Sequence, residues 1–182
     1  MARLYLIRHG KAAAGWDADT DPGLDETGRL QAEAMAERLA PLGPLPLVAS
    51  PLRRTRETAL PLERHWQTAA RIDKHIAEVP SPVADLAARG AWLAQVMQQR
   101  WTAVDSSLQA WRRELLAALA AYETDSVLVS HFVAINVAVG AALGDDRVIC
   151  FRPDNCSCTV IDVTGGALTL VDKGQEGATR VL

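Results

Sequence analysis

The sequence predicts an α/β fold, a three-layer sandwich in which a mostly parallel central sheet is covered by helices on both faces. Short apolar runs typical of buried strands alternate along the chain with longer segments of helical periodicity, and this alternation favours a parallel sheet. The chain has 182 residues, of which 49% are hydrophobic and 23% are charged, as in ordinary globular proteins. We expect one domain over residues 1–182, with a helical insert at about residues 82–122.

The first quarter of the chain provides two strands and a helix between them. Leu4–Ile7 is a short apolar run that ends in Arg-His-Gly, which predicts a buried strand leading into a loop. Asp25 is a candidate N-cap for the helix that follows. Leu45–Ala49 is the second strand candidate. The helix has an apolar face, which carries Ala32, Met35, Ala36 and Leu39.

A second helix is predicted to begin at Ser50-Pro51, with Ser50 as the N-cap and Pro51 at the first helical position. It should extend to about Trp66, and a short strand is expected at about residues 70–77. Two further helices are predicted in the insert, because apolar residues recur there at helical spacing. The first carries Leu86, Leu93, Val96 and Met97, and the second carries Trp111, Leu115, Leu116, Leu119 and Tyr122.

The last third of the chain returns to strands. Ser126–Ser130 is a strand candidate, and the run Phe132–Leu143 is apolar on every side, which predicts a buried helix. Cys158–Val163 and Ala167–Val171 are two strand candidates joined by Gly165-Gly166, a pattern typical of a β-hairpin.

Charge and cysteine content narrow the classes of partner and cofactor. The net charge is -3, and no long basic run is present, so we expect neither a nucleic acid partner nor a membrane partner. Three closely placed cysteines and four scattered histidines predict neither a disulfide framework nor a zinc site. We therefore expect no metal and no cofactor. Arg8 interrupts the N-terminal apolar run too early for a signal peptide, and a cytoplasmic location is expected.

Histidine and arginine side chains follow the predicted strands. In parallel sheets, sites form beyond the carboxyl ends of the strands. His9 follows the first strand and His131 follows Ser126–Ser130, so the two imidazoles share one crevice if those strands are neighbours. Arg8 adjoins His9, and Arg54 falls in the first turn of the second helix. Two histidines and two arginines without a metal-binding set predict a phosphate pocket, because arginine offers paired donors and a fixed charge.

These residues belong to four ordered sequence blocks that resemble the histidine phosphatase superfamily, which includes the phosphoglycerate mutases. The first block is Leu-Ile-Arg8-His9-Gly10, which matches the Arg-His-Gly signature of that family. The other three are residues 24–32, residues 50–59 and residues 127–131. Together the blocks span most of the chain and occur in the order of the family.

The resemblance implies a metal-independent phosphomonoester hydrolase that acts through a phosphohistidine. His9 would attack phosphorus as a neutral imidazole. Arg8, Arg54 and His131 would hold the phosphoryl oxygens and stabilise the charge of the transition state. Glu78, which follows the third strand candidate, is the candidate general acid. The substrate would be a small phosphorylated molecule or a phosphoprotein.

Three departures from the family pattern leave alternatives open. Residues 11–16 lack the asparagine that many members carry there, and this is more typical of the bacterial phosphohistidine phosphatase branch. Phe132 stands where glycine is common, and its ring could narrow the pocket or pack into the buried helix. The stretch at about residues 82–114 is long for the smallest members and could form a lid or a substrate wall. The alternatives are a phosphotransferase of the phosphoglycerate mutase type and a non-catalytic protein that binds a phosphorylated ligand.

Overall fold

The computed structural model describes residues 1–177 and contains one mixed sheet between two helical layers. Within this range the sheet has six strands, in the order β3-β2-β4-β1-β5-β6. The four strands from β3 to β1 run parallel, and β5 and β6 form an antiparallel hairpin at one edge. The strands are β1 (Ala2–Arg8), β2 (Leu47–Ala49), β3 (Arg71–Ile72), β4 (Ser126–Ser130), β5 (Cys158–Thr164) and β6 (Ala167–Asp172). The predicted three-layer fold with a mostly parallel sheet is confirmed.

Five α-helices connect the strands in the described part of the chain, and they cover both faces of the sheet. Side chains that alternate along a strand point to opposite faces, and β4 shows this clearly. Val127 and Val129 pack in the cluster formed with α1 and α2, whereas Leu128 packs in the cluster formed with α3, α4 and α5. The helices are α1 (Glu26–Leu39), α2 (Arg53–Trp66), α3 (Leu86–Met97), α4 (Ser106–Ala120) and α5 (Phe132–Leu143).

Several predicted elements agree closely with the structure. Asp25 is the N-cap of α1, where its carboxylate accepts a hydrogen bond from the Gly28 amide at 2.7 Å. The strand β4 and the helix α5 have the predicted bounds, and Phe132 to Gly140 of α5 is buried throughout. Short 3₁₀ turns also occur at Ala40–Leu42 and Lys74–Ile76.

The predicted start of the second helix was wrong. The helix α2 begins at Arg53, and its N-cap is Leu52, which offers no side-chain hydrogen bond. Ser50 does not cap the helix, because its hydroxyl lies 2.7 Å from Nε2 of His131. Leu52 and Pro51 therefore belong to the connection between β2 and α2.

The expected strand at residues 70–77 is present only in part. The strand β3 has two residues, and Asp73 then caps a 3₁₀ turn by accepting a hydrogen bond from the His75 amide at 2.9 Å. This local bond competes with continued strand pairing. The strand β2 also begins later than expected, at Leu47, and Tyr122 lies just beyond the end of α4.

Two helices, α3 and α4, occupy the predicted insert at about residues 82–122. Both contribute to the core on the α5 side of the sheet, through Leu93, Val96, Leu108, Leu115 and Leu119. None of the helices in residues 1–177 combines the length and the apolar character that crossing a membrane requires.

Candidate active site

The site lies at the carboxyl ends of β1 and β4, which are adjacent parallel strands. Arg8 of β1 is in register with Ser130 of β4, so the residues that follow them come together. The imidazole rings of His9 and His131 meet edge to face, with 5.3 Å between their centroids. The prediction that the two imidazoles share a crevice required β1 and β4 to be neighbours, and they are.

The His9 ring is buried to 8% exposure, and its two nitrogens have different partners. Nδ1 lies 2.7 Å from the carbonyl oxygen of Gly10, and Nε2 lies 3.2 Å from Nε of Arg54. A carbonyl oxygen only accepts and an arginine only donates, so Nδ1 carries the proton and Nε2 carries a lone pair. Burial lowers the pKa of His9 well below its ordinary value, and the charges of Arg54 and Arg8 lower it further. The ring is therefore neutral, as a nucleophile must be.

The backbone around His9 is held from several sides. The amide of His9 donates to the Ser130 oxygen at 3.1 Å, and the side-chain amide of Asn155 donates to the His9 oxygen at 2.9 Å. The amide of Gly10 donates to Oγ1 of Thr58 at 3.0 Å. A Cβ atom on Gly10 would lie 2.5 Å from the backbone oxygen of Gly28, so only glycine fits there.

The two predicted phosphate-binding arginines both line the cleft. Arg8 and Arg54 are buried to 3% and 5% exposure. Arg8 donates through Nη1 to the Pro153 oxygen at 2.9 Å, and its guanidinium lies 5.0 Å from the centre of the Phe132 ring. Burial is the main cause that lowers the pKa of Arg8, to about 10, so it stays cationic at neutral pH.

Phe132 packs into the core at 1% exposure and also forms part of the cleft wall beneath Arg8. The ring thus packs into the core, as one of the two expectations had it, and it also borders the pocket. The cleft beside it keeps a volume of about 540 Å³, a size typical of small-molecule sites.

Glu78 lines the cleft and lies at the N-terminus of α5. Its carboxyl oxygens accept hydrogen bonds from the amides of Val79 at 2.9 Å, Val133 at 3.2 Å and Ala134 at 3.3 Å. Burial raises the pKa of Glu78 above its ordinary value, although these amides and Arg54 act in the opposite direction. A carboxyl group of raised pKa in a cleft is suited to proton transfer.

The predicted site residues thus come together, with one difference in exposure. Arg8, His9, Arg54 and Glu78 line the cleft, whereas His131 is fully buried at 0% exposure. Burial, together with the charges of Arg54 and Arg8 and the neighbouring His9, lowers the pKa of His131 well below its ordinary value. Both imidazoles are therefore neutral.

Arg89 and Trp16 form a second part of the cleft wall that sequence reasoning missed. Arg89 comes from α3, and its guanidinium lies 5.0 Å from the centre of the Trp16 ring. Trp16 also stacks on Trp92, with 6.4 Å between ring centroids. The spacing of Arg89 and Trp92, three residues apart on one helix, was the available signal.

Polar partners of the site residues were also missed as functional candidates. Ser50, Thr58 and Asn155 contact His131, Gly10 and His9, respectively. Ser50 and Thr58 lie in the third sequence block, but Asn155 lies in a connection that no motif marked. Among residues 1–177, no group of three or more histidine, cysteine, aspartate and glutamate side chains is placed to hold a metal ion.

Comparisons with known proteins agree with this geometry. A model of the histidine phosphatase superfamily (branch 1) matches residues 4–175. A probable phosphoglycerate mutase from Erwinia tasmaniensis is 28% identical, over 89% of this chain and 85% of the relative. A glucosyl-3-phosphoglycerate phosphatase from Mycolicibacterium vanbaalenii is 34% identical, over 56% of this chain and 50% of the relative.

Solved structures extend the similarity over almost the whole chain. A mycobacterial glucosyl-3-phosphoglycerate phosphatase in complex with VO3 has a TM-score of 0.73 and 28% identity, and the match covers 96% of this chain and 99% of that one. The family model spans all four sequence blocks, and the relatives include named phosphatases. The predicted family and the predicted enzyme class, a phosphatase, are therefore confirmed. The chain belongs to the histidine phosphatase superfamily.

Proposed function

We propose that this chain hydrolyses small phosphomonoesters, without a metal ion, through a phosphohistidine on His9. The observation that carries the proposal is the neutral His9 ring, whose unprotonated Nε2 lies 3.2 Å from Nε of Arg54 in a cleft lined by two buried arginines. When the phosphoryl group enters, Arg54 exchanges its bond to Nε2 for a bond to a phosphoryl oxygen. The lone pair of Nε2 is then directed at phosphorus.

The first chemical step transfers the phosphoryl group to the protein. Nε2 of His9 forms a bond to phosphorus, and the bond between phosphorus and the leaving oxygen breaks. Arg8, Arg54 and His131 stabilise the charge that develops on the phosphoryl oxygens. Glu78 gives its proton to the leaving oxygen, so the product departs as an alcohol.

The second step regenerates the enzyme. The Glu78 carboxylate takes a proton from a water molecule, whose oxygen attacks phosphorus while the bond to Nε2 breaks. Inorganic phosphate leaves, and Glu78 is protonated again. The carboxylate formed between the two steps is stabilised by the three amide groups that Glu78 faces.

The charge of Arg89 favours a substrate whose leaving group carries a second negative charge. Within residues 1–177 Arg89 makes no ion pair with an acidic side chain, and its charge contributes to the lowered pKa of Arg54, after burial. A phosphate dianion leaves part of the positive charge of Arg8, Arg54 and Arg89 unbalanced. A phosphorylated carboxylic acid would balance it, and the names of the relatives include such molecules.

The proposal also assigns a role to the helical insert, a size to the substrate and a location to the protein. Residues 82–122 would act as a wall or lid of a single domain, because α3 brings Arg89 to the cleft. A cleft of about 540 Å³ favours a small substrate over a folded phosphoprotein. The free cysteines Cys150, Cys156 and Cys158 support the expected cytoplasmic location.

A phosphotransferase of the phosphoglycerate mutase type is the second candidate, because the match to the Erwinia tasmaniensis relative covers most of this chain and most of the relative.

Hydrolysis of p-nitrophenyl phosphate in excess chelator, by the wild type and by His9→Ala, tests the main proposal. Activity that survives the chelator and is lost in the variant would support it. Exchange of phosphate between positions of phosphoglycerate, faster than its release, would favour the mutase. Binding without turnover would leave a non-catalytic role.

A further inference from the structure

Ser50 and His131 form a fully buried polar pair behind the predicted nucleophile. Both residues are 0% exposed, and Oγ of Ser50 lies 2.7 Å from Nε2 of His131. Nδ1 of His131 is also buried, and it has no hydrogen-bond partner in the described part of the chain. The His131 ring lies 5.3 Å from the ring of His9, centre to centre. The unpartnered Nδ1 atom therefore belongs to a ring that packs against the predicted nucleophile.

Two placements of the protons are possible in this pair, and they leave different groups unpaired. If the Ser50 hydroxyl donates to Nε2, then Nδ1 carries the imidazole proton. Only that N–H is left without a partner, and Oγ can still accept the long 3.5 Å contact from the Leu52 amide. If Nε2–H donates to Oγ instead, both the Ser50 hydroxyl proton and the Nδ1 lone pair lack a partner among residues 1–177. Buried polar groups are nearly always paired, so the first placement is favoured.

We infer that Ser50 is a positioning residue that holds His131 in the tautomer with its proton on Nδ1. This inference rests on the proposed function, because the N–H gains its partner when a phosphoryl oxygen binds beside His9. The opposite tautomer would present a lone pair to an anion, which would oppose binding. Burial, together with the charges of Arg54 and Arg8, lowers the pKa of His131 well below its ordinary value, so the ring is neutral and its tautomer matters.

The backbone of Ser50 is placed to do this. Its amide donates to the Val129 oxygen at 3.1 Å, and its carbonyl oxygen accepts from Oγ1 of Thr55 at 2.8 Å. Both ends of the residue are therefore fixed, one to β4 and one to the first turn of α2. The hydroxyl that failed to cap α2 is held against His131 by these two bonds.

The tautomer can be measured directly by long-range ¹H–¹⁵N NMR of the imidazoles. The chain has four histidines, and His131→Gln identifies the His131 signals by their loss. We expect the proton of His131 on Nδ1 in the wild type, and a mixed or reversed population in Ser50→Ala. A proton on Nε2 in the wild type would overturn the inference. This readout needs no turnover, so it is independent of whether the proposed hydrolysis occurs.

Kinetics separate positioning from a merely structural role. Ser50→Ala should lower kcat for p-nitrophenyl phosphate roughly tenfold to a hundredfold, as the loss of groups that orient a functional imidazole does elsewhere. Ser126→Ala is the matched control, since it removes a buried serine hydroxyl at the opposite end of β4, and it should keep most of its activity. Ser50→Thr should restore part of kcat. Equal losses in Ser50→Ala and Ser126→Ala, with the His131 tautomer unchanged, would show that Ser50 is only structural. If the wild type shows the expected tautomer but no turnover, the proposed hydrolysis fails and the tautomer assignment stands.

Discussion

At the residue scale, the site places an imidazole and a carboxyl group whose pKa values move in opposite directions. Burial lowers the pKa of His9 and raises that of Glu78, because in each case the charged form is poorly solvated. His9 is therefore neutral and able to attack, while Glu78 keeps a proton to a higher pH than an exposed glutamate does. This is the pairing that a nucleophile and a general acid require.

The pH dependence of kcat/KM, which reports on the free enzyme, should reflect both groups. Activity requires neutral His9, so it should fall only as the pH drops through a pKa below 6.5, the ordinary histidine value. Activity also requires protonated Glu78, so it should fall as the pH rises through a pKa above 4.5, the ordinary glutamate value. We expect Glu78→Gln to lose the basic limb of the profile and to reduce kcat for alkyl phosphates by about 10²–10⁴-fold.

The comparison of two leaving groups makes this measurement specific. Glu78→Gln should affect p-nitrophenyl phosphate less than an alkyl phosphate, because nitrophenolate needs little protonation to leave. Glu123→Gln, at an exposed glutamate away from the cleft, is the control. An unchanged basic limb in Glu78→Gln would assign that limb, and the acid role, to another group.

The site residues that were predicted from the sequence differ from those that were missed in what determines their positions. His9 and His131 could be predicted because strand ends in a parallel sheet share an edge. Glu78 depended on family resemblance, and the structure places it in the cleft. Asn155 and Arg89 could not be predicted in the same way, because the paths of a long connection and of an inserted helix determine their positions. Local pattern contains no information on either path.

At the scale of elements, α1 supports the loop that carries His9 through a close backbone contact. A Cβ atom on Gly28 would overlap the backbone oxygen of Lys11, the second residue after His9. The amide of Lys11 also donates to Oε1 of Gln31 at 2.9 Å, and Asp25 donates its amide to the Lys11 oxygen at 3.0 Å. The first turn of α1 therefore fixes this loop.

Gly28→Ala should destabilise the protein despite the better helix propensity of alanine. The propensity gain is about 1 kcal/mol, whereas forcing a methyl group against the backbone costs about 1–3 kcal/mol. Urea unfolding measures the net change, and Ala34→Gly, at an exposed position of α1, calibrates the propensity difference. A Gly28→Ala variant more stable than the wild type would contradict the close contact.

The helix α3 should determine substrate preference through Arg89. The matched substrates are 3-phosphoglycerate and glycerol 3-phosphate, which differ by a carboxylate. Arg89→Ala should lower kcat/KM for 3-phosphoglycerate roughly tenfold to a hundredfold, because a charge-assisted hydrogen bond is lost, and should change glycerol 3-phosphate little. Arg113→Ala, at an exposed arginine of α4, is the control. Equal losses on both substrates would show that Arg89 does not bind the carboxylate.

Buried elements were predicted more accurately than exposed ones. The helix α5 and the strand β4 were predicted with the observed bounds, because the whole strand and most of the helix are buried and an apolar run marks each of them. The exposed edge strand β3 and the start of α2 were not, because polar side chains there choose between local and distant partners. Ser50 bonds to His131 instead of capping α2, and Asp73 turns the chain after two strand residues. Those choices depend on tertiary structure.

At the scale of the whole molecule, the two buried histidines of the site should make the stability of the fold depend on pH. The two neutral imidazoles of His9 and His131 lie at the ends of central strands, and both have pKa values well below 6.5. Below the ordinary pKa of histidine, the unfolded chain binds protons that the folded chain does not. Stability should therefore decrease as the pH falls from 6.5 towards the lowered pKa values.

The expected slope is about 1.4 kcal/mol per pH unit for each buried histidine. Urea unfolding of the wild type measures this slope between about pH 5 and pH 7, a range that includes the ordinary pKa of histidine. His131→Gln should reduce the slope by about the share of one histidine. His65→Gln, at an exposed histidine of α2, is the control, and it should alter the slope less than His131→Gln does. A slope that His131→Gln does not alter would show that His131 ionises in the folded state.

The central claim is that His9 carries the phosphoryl group during turnover. The most direct test is rapid quenching of the protein with labelled p-nitrophenyl phosphate in base, in which phosphohistidine survives, followed by peptide mapping. We predict label on the peptide that contains His9, in excess chelator as well as without it, and no label in His9→Ala. Turnover by the wild type with no trapped label, or label on another residue, would contradict the phosphohistidine mechanism.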